Sequence, residues 1–157
     1  MLSHVFLNII FNFLNFVLLF KLANLITKKE KISRITALLY IFNPHIYFYR
    51  TLYTETYFLF FQTLGLYVLL KPICKNDNLR FFDCIIPTLI FTLGGLIRSN
   101  SFFSIGYILY FYFIYNHKWN LNNTITYAIK MLPLIIISIF PFLFIMNISR
   151  KFLCNSE

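Results

Sequence analysis

Acidic residues are scarce in this chain: five Asp and Glu stand against fourteen Lys and Arg among 157 residues. Charge of either sign is thin at 12%, where soluble domains carry about a quarter. With 21 Phe and 11 Tyr to bury, a water-soluble fold would have nowhere to put its rings. Cys74, Cys84 and Cys154 form no CxxC and are odd in number, which excludes a disulfide framework and a redox motif. His4, His45 and His117 are scattered, so no metal site assembles from the sequence, and no cofactor is expected. There is no internal repeat and no Gly/Ser linker, so residues 1–157 read as a single transmembrane domain.

What the chain does have is long apolar runs. The net charge of +9 does not form the patch that nucleic-acid binding needs. Its basic residues fall between the runs, as in a membrane protein obeying the positive-inside rule. The first run, Val5 to Ile26, is long enough to cross a bilayer at about 20 residues, and lacks the basic start and small-residue cleavage site of a signal peptide. A basic loop, Lys28 to Arg34, follows it. The second run, Ile35 to Tyr49, is interrupted at Asn43-Pro44, because the residue before a proline avoids helical geometry. The third, Thr51 to Leu70, is a full span ended by Pro72. From Cys84 to Tyr115 the pattern predicts two short helices meeting at Arg98-Ser99-Asn100, and a last run covers Ile129 to Ile148. The expected fold is all-α, a multi-pass membrane helix bundle of about six segments.

Lys/Arg placement sets the expected orientation. With Lys28–Arg34 in the cytosol, the Lys71–Arg80 loop and the His117–Lys130 segment fall there too. Glu55 and Arg98 then both face the opposite side. Each is costly in lipid, by about 2.5–3.5 kcal/mol on insertion scales, so a chain that keeps them uses them at a protein-lined, wet site.

Thr51, Glu55 and Gln62 lie at i, i+4 and i+11 and share one helix face, which should turn into the bundle. Glu55 lies about a turn from its helix start, where the dipole favours a carboxylate. Its functional reading competes with a capping or packing role. Arg98 presents a planar fork suited to phosphate or carboxylate, with Ser99 and Asn100 beside it. The competing role is an interface anchor or an ion pair with Glu55. Thr88, Thr92, Gly95 and Ser99 form a small-residue face that admits a neighbouring helix closely. His4, Asn8, Asn12 and Asn15 form a polar stripe whose first role is interhelical hydrogen bonding.

Two stretches carry a resemblance. FNPHIYFYRTLYTETYFLFF resembles the NP…Y-[ST]-E stretch of the second mannosyltransferase of glycosylphosphatidylinositol (GPI) anchor assembly. GLIRSNSFFSIGYILY resembles that family's RSNG…GF stretch, at a fitting separation. The closing LPLIIISIFPFLFIMNISRKFLC is similar to its following apolar helix, and the resemblance covers about Leu7 to Cys154. It implies a multi-pass endoplasmic-reticulum enzyme of the GT-C glycosyltransferase type. Such an enzyme takes mannose from dolichyl-phosphate mannose in the lumen and adds the second, α1,6-linked mannose to the GPI precursor. Asn43, Pro44, Tyr53, Thr54, Glu55, Arg98, Ser99 and Asn100 match motif positions, and Asn43, Tyr53, Glu55, Arg98, Ser99 and Asn100 become the expected substrate-binding residues.

Three departures accompany the match. Ser101 replaces the glycine that follows RSN in the family, and His45 and Tyr47 are bulky where small residues are common. The family's acidic lumenal loop, the expected source of the catalytic base, has no counterpart here, nor do its C-terminal lumenal segments. The alternatives are a non-catalytic scaffold or assembly subunit, a degenerate fragment of the enzyme, and a transporter fragment. The partners implied are the lipid-linked sugar donor, the GPI acceptor, membrane lipid and a small membrane partner subunit, with no nucleic acid.

Overall fold

The structure is a computed structural model, and it describes residues 2–42, 55–75, 79–98, 104–116, 129, 131–137, 139–141, 143–144 and 147. Among these the regular elements are all helices: α1 (Leu2–Thr27), α2 (Glu30–Phe42), α3 (Glu55–Cys74), α4 (Phe81–Ile97) and α5 (Ile105–Asn116). An apolar helical stretch, Met131–Pro141, follows. The break expected at Arg98 is present: α4 ends there in extended geometry, with the Arg98 N–H bonded to the Gly94 carbonyl at 3.0 Å.

The basic loop is shorter than the hydropathy pattern predicts. Helix α2 begins at Glu30, so of the expected loop only Lys28 and Lys29 lie outside a helix. Apolarity is not a condition for helix formation, and local chemistry favours it here. Glu30 sits in the first turn, where the dipole welcomes it, and pairs with Arg34 one turn on at 2.6 Å. Lys28 takes the left-handed conformation, φ 53°, which lets α1 turn directly into α2. Two other ends also move outward. Helix α3 runs on through Pro72 to Cys74, and α4 starts at Phe81 because Asp83 accepts the Arg80 N–H at 2.9 Å.

Helix α3 is packed between α1 and α4, while α2 lies against α1 and α5 lightly against α4. The core joins Leu69, Leu79, Cys84, Phe91, Ile108, Tyr112, Met131 and Leu134, so the Met131–Pro141 stretch belongs to it. At the α3–α4 contact Phe91 lies flat on Gly65, where a Cβ would stand 2.5 Å from its ring. Thr88, Thr92 and Gly95 are buried on the same face of α4, as the small-residue spacing predicts.

The distribution of side chains is inverted relative to a soluble protein. Asn8, Asn15, Ser33, Thr56, Thr63, Thr88, Thr92 and Ser104 are buried, while Phe6, Phe13, Leu39, Phe42 (71% exposed) and Phe82 (76% exposed) point outward. Small and polar residues inside with large apolar ones outside is the pattern of helices packed in lipid. Val5–Thr27 and Glu55–Cys74 are long and apolar enough to cross a bilayer, and little of either is buried inside the protein. A soluble core helix would be mostly covered. Among the described residues the fold is all-α, with the surface and the two long apolar helices expected of a membrane protein.

Candidate functional site

The site forms where helix ends converge beside the asparagine stripe of α1. Asn12 accepts the Tyr40 hydroxyl near the end of α2 at 3.1 Å, and its own amide bonds the Asn8 carbonyl at 2.8 Å. Asn15, fully buried, donates its amide to the Thr56 carbonyl at the start of α3, at 3.0 Å. Phe11 packs edge-on against Tyr57 and Phe60 at 4.8 and 5.0 Å. The interhelical role expected of the stripe is thus seen at Asn12 and Asn15. The end of α2 and the start of α3 are drawn to one stretch of α1.

The end of α4 arrives from the other side. The Arg98 guanidinium donates from Nη1 to Glu55 Oε1 at 2.9 Å, 43 residues away in sequence. Its charged plane also lies over the Phe58 ring, 5.9 Å from the centroid, within cation–π range. The pair is neither sealed nor free, with Arg98 45% and Glu55 33% exposed at their side chains. Glu55 Oε2 is buried and has no hydrogen-bond partner among the described residues. The arrangement offers a guanidinium facing outward and a carboxylate with one committed oxygen and one uncommitted. The first is open to an anion, and the second is an acceptor held beneath the surface.

One face of α3 carries these contacts. Gln62, seven residues after Glu55, accepts the Ser104 hydroxyl where α5 begins. The predicted polar stripe therefore turns inward at both described positions, while Thr51 lies outside the described residues. Of the expected substrate-binding residues, Glu55 and Arg98 are brought together. Asn43, Tyr53, Ser99 and Asn100 lie outside the described residues. Ser104 and Phe58 were not singled out by sequence. Phe58 follows Glu55 by three residues, so its place on the same face was readable. A lone serine in an apolar run was the signal for Ser104. Among the described residues no group of three His, Cys, Asp or Glu side chains could hold a metal ion. Cys74 and Cys84 are free thiols.

An apolar groove of about 450 Å³ lies between α1 and α2, lined by Val5, Ile9, Phe13, Phe16 and Ile41 together with Asn8, Asn12 and Tyr40. The asparagine stripe thus serves both sides of α1, with Asn8 and Asn12 lining this groove and Asn15 bonded to the start of α3.

The sequence model of a family described as Mannosyltransferase (PIG-V) matches residues 1–155. Neither the curated proteins nor the solved structures offer a match.

Proposed function

The chain belongs to the mannosyltransferase (PIG-V) family, and from this membership we propose that it serves GPI-anchor synthesis by transferring the second, α1,6-linked mannose from dolichyl-phosphate mannose in the endoplasmic-reticulum lumen. The fold assigned to it is a GT-C-like single transmembrane domain of about six segments, with the Glu55–Arg98 pair toward the lumen. One observation carries this reading. The two stretches that bear the family resemblance are separate in sequence, and their charged residues, Glu55 and Arg98, 43 positions apart, meet at 2.9 Å. Their meeting on a half-exposed guanidinium supports a shared binding role for the two motifs.

In an inverting transfer a base takes the acceptor hydroxyl proton as the phosphate leaves. Arg98 holds a phosphate oxygen of the lipid-linked substrate and stabilises the charge that grows there. Glu55 Oε1 fixes the Arg98 fork, and Oε2 accepts a hydrogen bond from a substrate hydroxyl. The base itself is not assigned among these residues. The groove beside Asn12 suits the hydrocarbon tail of a lipid-linked substrate. Asn43, Tyr53, Ser99 and Asn100 are proposed to contact the substrates from the same motifs, and a small membrane partner subunit is a proposed companion.

The test is complementation of cells lacking the second GPI mannose. Accumulation of the two-mannose precursor on expression of the chain supports the assignment. Persistence of the one-mannose precursor, with the protein present in the membrane, refutes it. The ion pair itself favours a second reading, a non-catalytic scaffold in which Arg98 and Glu55 only neutralise one another. In that case Arg98→Lys preserves function.

A further inference from the structure

We infer that Gln62 and Ser104 are positioning residues that hold Arg98 in register with Glu55. This rests on the transferase reading given above and deepens it. Arg98 closes α4 and Ser104 immediately precedes α5, six residues later. Each is tied to the same face of α3: Arg98 to Glu55, Ser104 to Gln62. The two anchor points lie seven residues apart on α3, about 10 Å along its axis. A long guanidinium side chain at a helix end is not held in place by the helix itself. Here the guanidinium is bonded to α3 directly, and the chain six residues on is bonded to the same rod a second time, where Ser104 is 5% exposed and shielded from competing water. Helix α5 contacts α4 only lightly, and it is related to α3 by the Ser104–Gln62 bond at its start and by the core that joins Ile108 and Tyr112 to Leu69 further along.

Neither side chain touches a substrate in this assignment. They act through Arg98, so their loss should lower turnover more than donor binding. Misplacing a catalytic group by about 1 Å can cost about a hundredfold.

The experiment compares Gln62→Leu, Ser104→Ala, the double variant and Ser104→Thr in the full chain, expressed in microsomes that lack the endogenous activity. Rates are normalised to folded protein. Both single variants should lose about tenfold in kcat, with KM for dolichyl-phosphate mannose within about twofold. The double variant should be no worse than Gln62→Leu alone, because Ser104→Ala removes a bond that Gln62→Leu has already removed. Ser104→Thr, which keeps the hydroxyl, should retain activity. Unchanged kcat, additive losses, or Ser104→Thr as poor as Ser104→Ala would overturn the inference.

A second readout does not need turnover. Spin labels at Lys71→Cys and Tyr110→Cys, with the native cysteines replaced, report the α3–α5 separation. The distance distribution should broaden in Gln62→Leu and stay narrow in Ser104→Thr. If the unaltered chain transfers no mannose, the transferase reading fails and this distance alone decides the inference. Distributions that do not differ would refute it.

Discussion

Arg98 and Glu55 close a contact between two opposed helix ends, the carboxylate in the first turn of α3 and the guanidinium just past the last turn of α4. Each charge sits where its own helix dipole favours it: negative at an N-terminus, positive at a C-terminus. The pair is therefore stabilised twice, by its partner and by its backbone. That explains how two charges persist in so apolar a chain. It also leaves Arg98 half-exposed and able to face an anion.

Replacing Arg98 by Lys separates its two roles. An ammonium can still pair with Glu55, and a partly exposed pair is worth only about 0–1 kcal/mol, so stability in detergent should hardly change. The planar fork is lost, and with it the second donor arm for a phosphate. Mannose transfer should fall about a hundredfold, measured in microsomes with labelled donor. Wild-type transfer by Arg98→Lys would show that the guanidinium is not a phosphate ligand.

Gly65→Ala tests the α3–α4 seam. The added methyl would stand 2.5 Å from the Phe91 ring, and that ring is 1% exposed, so it has no open space to swing into. Helix propensity alone would favour Ala by about 1 kcal/mol. Overpacking costs about 1–3 kcal/mol and should win. Detergent unfolding should show a loss of stability, with partial recovery in Gly65→Ala combined with Phe91→Leu. A gain of stability would mean that α4 shifts freely along α3.

These two sites mark what could be read from the residues and what could not. The i, i+7 placement of Glu55 and Gln62 fixed their common face, and the charges at 55 and 98 already suggested a pair. The helix break at Arg98 was legible because Arg-Ser-Asn interrupts an apolar run. Periodicity names a face and not its partner, however. Nothing in the spacing tells that Phe91 closes on Gly65, or that Asn15 bonds the backbone of Thr56. The start of α2 was misplaced for a different reason. Hydropathy detects what lipid tolerates, and Glu30-Lys31-Ile32-Ser33-Arg34 is helical through its charge pairing and dipole, not its apolarity.

Asn15 invites a pair of opposite substitutions. Its amide bonds Thr56 O, but its own Oδ1 is buried without a partner among the described residues, so the residue carries a penalty alongside its bond. Interhelical hydrogen bonds between membrane helices average about 0.6 kcal/mol, less than the cost of a stranded polar atom at about 1–3 kcal/mol. Asn15→Leu, close in volume, should therefore be neutral or slightly stabilising. Asn15→Asp removes the donor and buries a carboxyl beside a carbonyl, and should destabilise strongly. Thermal unfolding in detergent separates the two. If Asn15→Leu proves the worse of the pair, the bond to Thr56 matters more than the stranded oxygen.

Glu55→Gln isolates the uncommitted oxygen. Gln keeps a carbonyl for the Arg98 Nη1 bond, so the contact between α3 and α4 survives at 2.9 Å in kind if not in charge. What changes is the second atom. Glu55 Oε2 is a buried acceptor with nothing bonded to it among the described residues, and in Gln that place is taken by an NH₂ donor. A substrate hydroxyl that donates to Oε2 would then meet another donor. The resulting defect should appear in the acceptor and not in the lipid-linked donor. KM for the one-mannose GPI precursor should rise about tenfold or more, whereas KM for dolichyl-phosphate mannose should stay within about twofold. A structural role for Glu55 gives a different pattern, since weakening the ion pair would loosen Arg98 and lower kcat with both KM values unchanged. The split between the two substrates, measured on membranes carrying equal amounts of folded protein, decides whether Oε2 is a binding group or the idle half of a structural carboxylate.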